Sequence, residues 1–218
     1  YETLPNGQIW TRHGTLVAPL DPNPTRVVRA SVYGWANNSW PTAYAAGSDG
    51  YLYLAGTTAD ARRMGDGTGG RDYSYAPESG SEVFLTKIDP ETMEPAWVAR
   101  LRISDFGALR EWDRDITALS VLYDPSTDTV LVGTTQAPSG EGNVFRVRAS
   151  DGEVLSMFTT IYGAEWLYWA EGGPASQTVY VGGSNKVCWG SACYLFRGGV
   201  AAEKYRLPPA SGTGLQRP

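Results

Sequence analysis

Histidine, cysteine and lysine are scarce in this 218-residue chain. It contains one histidine, two cysteines and three lysines. A zinc site needs more ligands than these cysteines and the histidine supply. No Gly-x-Ser-x-Gly motif is present either, so the nucleophilic triads of hydrolases have no support. No apolar run approaches the roughly 18 residues of a membrane-spanning helix.

Positive charge is also in deficit, with 18 Lys and Arg against 23 Asp and Glu and a formal net charge of −5. Because no basic stripe is available for a phosphate backbone, the sequence predicts no nucleic-acid binding. The 26 glycines and 14 prolines stay below the range of low-complexity chains. One domain of ordinary packing is therefore expected.

Internal repetition is the most informative feature that is present. A short β-branched and aromatic run ended by glycine recurs three times, at 49–58, 129–135 and 178–184. Further strand-like runs flank each copy in the same order. The first run precedes the motif, at 42–46, 116–121 and 166–170. The third run follows the motif, at 83–88, 144–148 and 194–197. The fourth run comes next, at 97–101, 154–158 and 204–207. Each repeat thus predicts four strands in meander order.

Four-stranded meanders are the unit of a β-propeller. We expect an all-β propeller with a partial blade at 1–34, blades at 39–101, 115–158 and 165–207, and a linker or tail at 208–218. A β-sandwich of irregular strands is the alternative, but it does not explain one repeated strand order. About four blades either close here or belong to a larger propeller. We favour the larger propeller, since four blades is the low end of the range.

One repeat resembles a known class of propeller repeats. The run at 50–58, Gly-Tyr-Leu-Tyr-Leu-Ala-Gly-Thr-Thr, and the run at 83–90, Val-Phe-Leu-Thr-Lys-Ile-Asp-Pro, resemble the SBBP-type β-propeller repeats. The resemblance covers most of 40–105 well and the later units loosely. It implies an extracellular or cell-surface location, a structural or adhesive role and no catalytic residues.

Other propeller families fit less well. WD40 repeats need a Gly-His and a Trp-Asp in every blade, whereas His13 is the only histidine and Trp112-Asp113 the only Trp-Asp. Kelch repeats need a Gly-Gly pair after the second strand of each repeat, and only 182–183 supplies one there. The turn that begins at Asp89 matches the quinoprotein repeat only in part, since Met93 stands in place of its glycine.

The compartment is indicated by two cysteines and one glycosylation motif. Cys188 and Cys193 flank Trp-Gly-Ser-Ala, and the Gly-Ser centre lets the chain fold back to form a disulfide. Two free thiols are the alternative. Asn37 begins an Asn-Asn-Ser sequon for N-glycosylation. Together these features predict an oxidising, extracellular setting.

The long connections are the predicted binding region. In a four-stranded meander, the second-to-third strand connections emerge on one face together with the connections between repeats. The long segment 58–81, the proposed disulfide loop, Asn37 and the segment 102–114 all fall on that face. Long loops on a rigid scaffold usually carry binding. The loop aromatic residues proposed as ligand-binding are Tyr73, Tyr75, Trp112 and Trp189. The strand tryptophans, Trp10, Trp40, Trp97, Trp166 and Trp169, are expected to fill the space between blades.

Catalytic and metal sites find weaker support. Acidic residues cluster at Asp105, Glu111, Asp113 and Asp115, but the arginines between them indicate solvated ion pairs. The glycine-rich loop 66–72 lacks the glutamate of an EF-hand calcium site.

We therefore predict no catalytic residue, no cofactor and no metal. The expected function is a non-catalytic extracellular structural or adhesive module, a fragment of a larger glycoprotein. Its partner is a protein, a glycan or another domain of the same protein. The alternative is a secreted propeller hydrolase or lyase that acts on polysaccharide through acidic residues of the long-loop face.

Overall fold

The computed structural model describes 2–3, 9–10, 15–17, 31–33, 39–58, 82–107, 116–136, 141–189 and 192–207. Side chains are described over 42–57, 83–107, 116–136, 141–183 and 202–207. The strands are β1 Glu2–Thr3, β2 Ile9–Trp10, β3 Thr15–Val17, β4 Ser31–Tyr33, β5 Ser39–Ala46, β6 Leu52–Thr58, β7 Glu82–Ile88, β8 Pro95–Leu101, β9 Ile116–Asp124, β10 Thr129–Gln136, β11 Gly142–Arg148, β12 Val154–Thr160, β13 Trp166–Trp169, β14 Thr178–Trp189 and β15 Ala192–Arg206.

The strands form antiparallel sheets in chain order, so the all-β prediction is confirmed. The first sheet has the order β5-β6-β7-β8, the second β9-β10-β11-β12 and the third β13-β14-β15. Two short pairs, β1-β2 and β3-β4, precede them. Within the described part of the chain, helical structure is limited to the 3₁₀ turns Ser104–Phe106 and Gly173–Ser176.

The third sheet differs from the prediction of four strands. The predicted strands at 194–197 and 204–207 belong largely to one continuous strand, β15, which pairs with β14 from Thr178↔Arg206 to Trp189↔Ala192. Strand β15 continues through the two glycines at 198–199, although no residue of 196–199 pairs with β14. A register shift between Ser184 and Lys186 absorbs the irregularity. Consequently the run at 204–207 lies where the other sheets have their third strand.

The three sheets stack face to face, and the second is buried on both faces. Along β10, Val130 and Val132 belong to a core cluster shared with the first sheet. Leu131 points the other way and belongs to a cluster shared with the third sheet. All three side chains are fully buried, which contributes about 1.5–3 kcal/mol each. This explains why the second sheet reads as nearly continuous apolar runs.

The first strands lie along one edge of the stack. The Cα atoms of β5 and β9 approach to within 8 Å, and so do those of β9 and β13. In each sheet the second strand lies next to this edge strand, and the third strand lies beyond the second. These contacts place the first strands of the three sheets next to one another, in the order β5, β9 and β13.

Glycine at the end of the repeated motif permits close backbone contact. The connection between the second and third sheets runs against these positions, where the amide of Ala164 donates to the carbonyl of Thr134 at 3.0 Å. A Cβ atom on Gly133 would lie 2.4 Å from the carbonyl oxygen of Ala164. On Gly183 it would lie 1.6 Å from the carbonyl oxygen of Gly163. The motif glycine is therefore a packing requirement.

Gly183→Ala should lower the free energy of unfolding by at least about 1–3 kcal/mol, because the added methyl group overlaps backbone that has no flexible end to move. Urea unfolding followed by tryptophan fluorescence measures this loss. Ala46→Ser, an exposed change at the end of β5, is the control and should leave the midpoint unchanged. An unchanged midpoint for Gly183→Ala would contradict the close approach.

Candidate functional site

Two opposite ends of the stack can be distinguished by their connections. The end with the turns between first and second strands, and between third and fourth strands, is called the clamped end. Its turns are short, as at 47–51, 89–94 and 148–153. The opposite end carries the connections between second and third strands and is called the loop end. In the first two sheets those connections span 59–81 and 137–141.

The third sheet extends a hairpin at the loop end. β14 has 12 residues, against 7 in β6 and 8 in β10. Beyond the register shift, the ladder continues from Lys186↔Leu195 to Trp189↔Ala192. Four residues per strand at about 3.3 Å each extend about 13 Å past the sheet. We call this segment, 186–195, the hairpin arm.

The hairpin arm holds three of the predicted site residues. Cys188 is the direct cross-strand partner of Cys193. Directly opposed residues of antiparallel strands have Cα atoms about 4.5–5.5 Å apart, which lies within the range that a disulfide spans. The backbone register therefore supports the disulfide, which stays a prediction. Trp189 is the next residue and pairs with Ala192 beside the tip.

The remaining predicted site residues are not placed. Tyr73, Tyr75, Trp112 and the sequon residue Asn37 lie outside the described residues. Of the acidic cluster, Asp105 is described and is exposed in the 3₁₀ turn. Among the described side chains, no group of three or more His, Cys, Asp or Glu could hold a metal ion.

The strand tryptophans divide into two classes. Trp97 is 7% exposed and lies in the cluster between the first and second sheets, so its predicted role as filler is confirmed. Trp169 packs against the cluster between the second and third sheets. Trp166 is 40% exposed and no described sheet covers it, so its predicted role between blades stays a prediction. Its side chain belongs to the outer face of the third sheet, which none of the described elements covers.

Lys87 holds the first and second sheets together at the clamped end. Its ammonium lies 2.8 Å from Oδ2 of Asp49, in the first turn of its own sheet. It also donates to the carbonyl oxygen of Ala149 in the second sheet at 3.0 Å. The indole of Trp97 donates to the same carbonyl at 3.0 Å. The ammonium of Lys87 also lies over the ring of Tyr51, 4.0 Å from the ring centre. One buried cation thus joins two sheets.

Arg146 likewise holds the second and third sheets together through buried polar contacts. It is 2% exposed and lies 3.3 Å from Oδ2 of Asp124, which is fully buried. Its guanidinium donates to the hydroxyls of Thr129 and Thr127 at 3.0 and 2.8 Å. A further bond of 2.9 Å reaches Oε1 of Gln177 in the third sheet. Gln177 in turn donates to Asp124 at 2.9 Å.

The carboxylates of both clusters are stabilised in the charged form. Burial raises the pKa of Asp124, but hydrogen bonds to its oxygens outweigh that effect and lower the pKa below its ordinary value; the donors are Ser126, Thr127 and Gln177. Burial likewise raises the pKa of Asp49, and the bonds from Lys87 and Tyr53 bring it below its ordinary value. Burial, together with its bond to Asp49, raises the pKa of the Tyr53 hydroxyl. Burial beside these carboxylates raises the pKa of Tyr123 to about 12.

A groove follows the first strands of the three sheets. It encloses about 330 Å³ and is lined from β5, β9 and the start of β13, including Tyr44, Ser120, Glu165 and Tyr168. Tyr44 and Tyr168 are 75% and 65% exposed. The predicted ligand-binding aromatic residues lay only in the long connections, so Tyr44 and Tyr168 on the first strands were not among them.

Removing the Arg146 side chain should be strongly destabilising. Arg146→Met leaves Asp124 buried beside a neutral side chain, and breaking a buried pair costs about 3–5 kcal/mol. Arg148→Met is the matched control, because the ion pairs of Arg148 with Asp151 and Glu153 are exposed, and little change is expected. Thermal unfolding of both variants measures the difference. Equal melting temperatures would contradict the bridging role.

No helix in the described part of the chain is long and apolar enough to cross a membrane. A scan against protein-family models and a search of curated proteins each found no match for this chain. The assignment of a function accordingly depends on the geometry of the sheets and the hairpin arm.

Proposed function

We propose that this protein is a non-catalytic β-propeller module, extracellular or at the cell surface, which has a structural or adhesive role. It binds a protein or a glycan partner through its loop end. The observation that carries the proposal is the hairpin arm, a two-stranded ladder that extends beyond the third sheet at the end opposite the buried ion pairs. The partner belongs to another molecule or to another domain of the same protein.

The propeller arrangement is supported by the order and packing of the sheets. Each is a meander, neighbouring sheets pack face to face, and the first strands lie together along one edge. Blades arranged around a common axis have this geometry. The pairing of 52–58 with 82–88 places the two runs of the SBBP-type motif side by side in one sheet. Membership in that repeat class is part of the proposal.

The arm suits recognition because it continues from a strand that is packed into the core and carries an aromatic residue beside its tip. The lower part of β14 carries Val179 and Val181, both buried in the cluster with the second sheet. A disulfide between Cys188 and Cys193 reduces the freedom of the tip before binding, which lowers the entropy cost of association. Trp189 is the residue type most often found at the energetic centre of an interface.

The polysaccharide hydrolase has no comparable support. Of its acidic residues, Asp105 alone lies in the part that the structure describes, on an exposed turn. General acid–base chemistry on a glycoside needs two carboxyl groups at a defined separation.

The compartment can be tested on protein purified from its source without reduction. Intact mass spectrometry should give a mass above 23.6 kDa with hexose increments, and thiol labelling should leave Cys188 and Cys193 unmodified. A bare mass with both cysteines labelled would place the chain in a reducing compartment. The extracellular part of the proposal would then fail.

Binding through the arm can be tested with immobilised polysaccharides and matrix proteins as probes. Trp189→Ala should weaken the strongest interaction at least tenfold, since an aromatic anchor contributes more than about 1.4 kcal/mol. Tyr44→Ala is the matched control, because Tyr44 is an exposed aromatic residue on a first strand, away from the arm. Equal losses in both variants, or full binding by Trp189→Ala, would contradict a role for the arm.

A further inference from the structure

The third sheet has one covered face and one open face. Leu167, Val179 and Val181 point to the second sheet and are buried. The register shows which residues share the opposite face, because residues paired across strands point the same way. Trp166 pairs with Gly182, and Tyr180 pairs with both Tyr168 and Lys204. We call this surface, formed by Trp166, Tyr168, Tyr180 and Lys204, the open face. Its aromatic side chains are 40–65% exposed.

The open face has an equivalent in each of the other sheets. On the third strand of the first sheet, Lys87 pairs with Tyr53 of the second strand. In the second sheet, Arg146 pairs with Leu131. In the third sheet, Lys204 pairs with Tyr180. Each sheet therefore presents one cation opposite one large apolar or aromatic residue, on the face that looks toward the sheet that follows.

In the first two sheets a following sheet covers this pair. Tyr53 and Leu131 are fully buried. Lys87 and Arg146 each donate to an oxygen of the sheet that follows, the carbonyl of Ala149 and Oε1 of Gln177. The third pair differs. Tyr180 is 41% exposed, and the ammonium of Lys204 lies 5.7 Å from the centre of its ring.

We propose that the open face is the docking site for a further sheet of the same repeat, formed by residues 1–38 of this chain. The interface between the first and second sheets and the interface between the second and third sheets indicate the chemistry of the occupant. In each, the following sheet supplies an apolar face and one acceptor oxygen opposite the cation. The segment 1–38 repeats the motif pattern, with Asn-Gly-Gln-Ile-Trp at 6–10 and Leu-Val-Ala-Pro-Leu-Asp-Pro at 16–22.

The placement of the segment agrees with this role. It forms the antiparallel pairs β1-β2 and β3-β4. The Cα atoms of β3 approach those of β5 to within 8 Å, on the edge where the first strands gather. In a propeller of four blades that closes within this chain, the sheet that precedes the first also follows the last. The docking therefore requires this closure and not the larger propeller that the sequence favours. The inference rests on the propeller arrangement proposed above, and it is independent of binding through the hairpin arm.

Photocrosslinking in the full-length chain tests the docking. The photoreactive change Tyr180→p-benzoylphenylalanine places the probe at the centre of the open face. Irradiation should give a crosslink within a single chain, to a peptide from 1–38, at monomer mass. The same probe at Asp151, an exposed residue of a clamped-end turn, is the control and should not label that segment. Circular dichroism checks that each probe-bearing protein is folded. Ala202 on β15 is a second position for the probe on the same face.

Two outcomes would overturn the docking. A crosslinked dimer would assign the open face to a second copy of the chain. Irradiated protein without any peptide crosslink from position 180 or 202 would show that the face stays in solvent. In both cases the Trp189→Ala binding assay still reports on the loop end, because neither probe position lies in the arm. Failure of the docking is thus distinguishable from failure of the adhesive function.

Discussion

The arrangement of the sheets depends on cations that are buried between them. Lys87 and Arg146 each sit on a third strand, pair with a carboxylate of their own sheet and donate to an oxygen of the next. Removing such a charge from water is expensive, so it is tolerated only where every donor is satisfied. Because the bonds of both clusters cross to the next sheet, each cluster favours one placement of a sheet on its neighbour. Apolar burial supplies most of the stability, while the polar clusters specify the arrangement.

Much of the architecture was predictable, because it follows from local patterns. Period-two runs and Asp-Gly or Asp-Pro turns gave the strand order of the first two sheets, which the observed ladders match. The third sheet was predicted wrongly where 198–199 read as a break between two strands, since β15 continues through these glycines even though 196–199 leave the ladder with β14. Lys87 and Arg146 were not identified as bridges, because a lone cation in a strand reads as solvent-facing. Their partners in the next sheet, Gln177 and Ala149, lie 31 and 62 residues away in sequence.

The two ends of the stack have opposite physical character. Short turns, buried ion pairs and lowered carboxylate pKa values concentrate at the clamped end. The other end carries the long connections and the hairpin arm. Under the proposed function, folding and recognition depend on separate residues. Substitutions in the arm should then alter binding with little cost to the core, and the predicted disulfide between Cys188 and Cys193 lies entirely within that arm.

The burial of the second sheet on both faces has a consequence for local opening. Amides of β10 and β11 lie between two apolar clusters, so they exchange with solvent only when both neighbouring sheets separate. The amides of β15 at 202–206 lie on a strand with one described neighbour and an alternating exposed face. Local opening that exposes these β15 amides to solvent should therefore cost less free energy. Hydrogen exchange should thus divide the protein into a slow central unit and a faster outer one, although both are built from the same kind of strand.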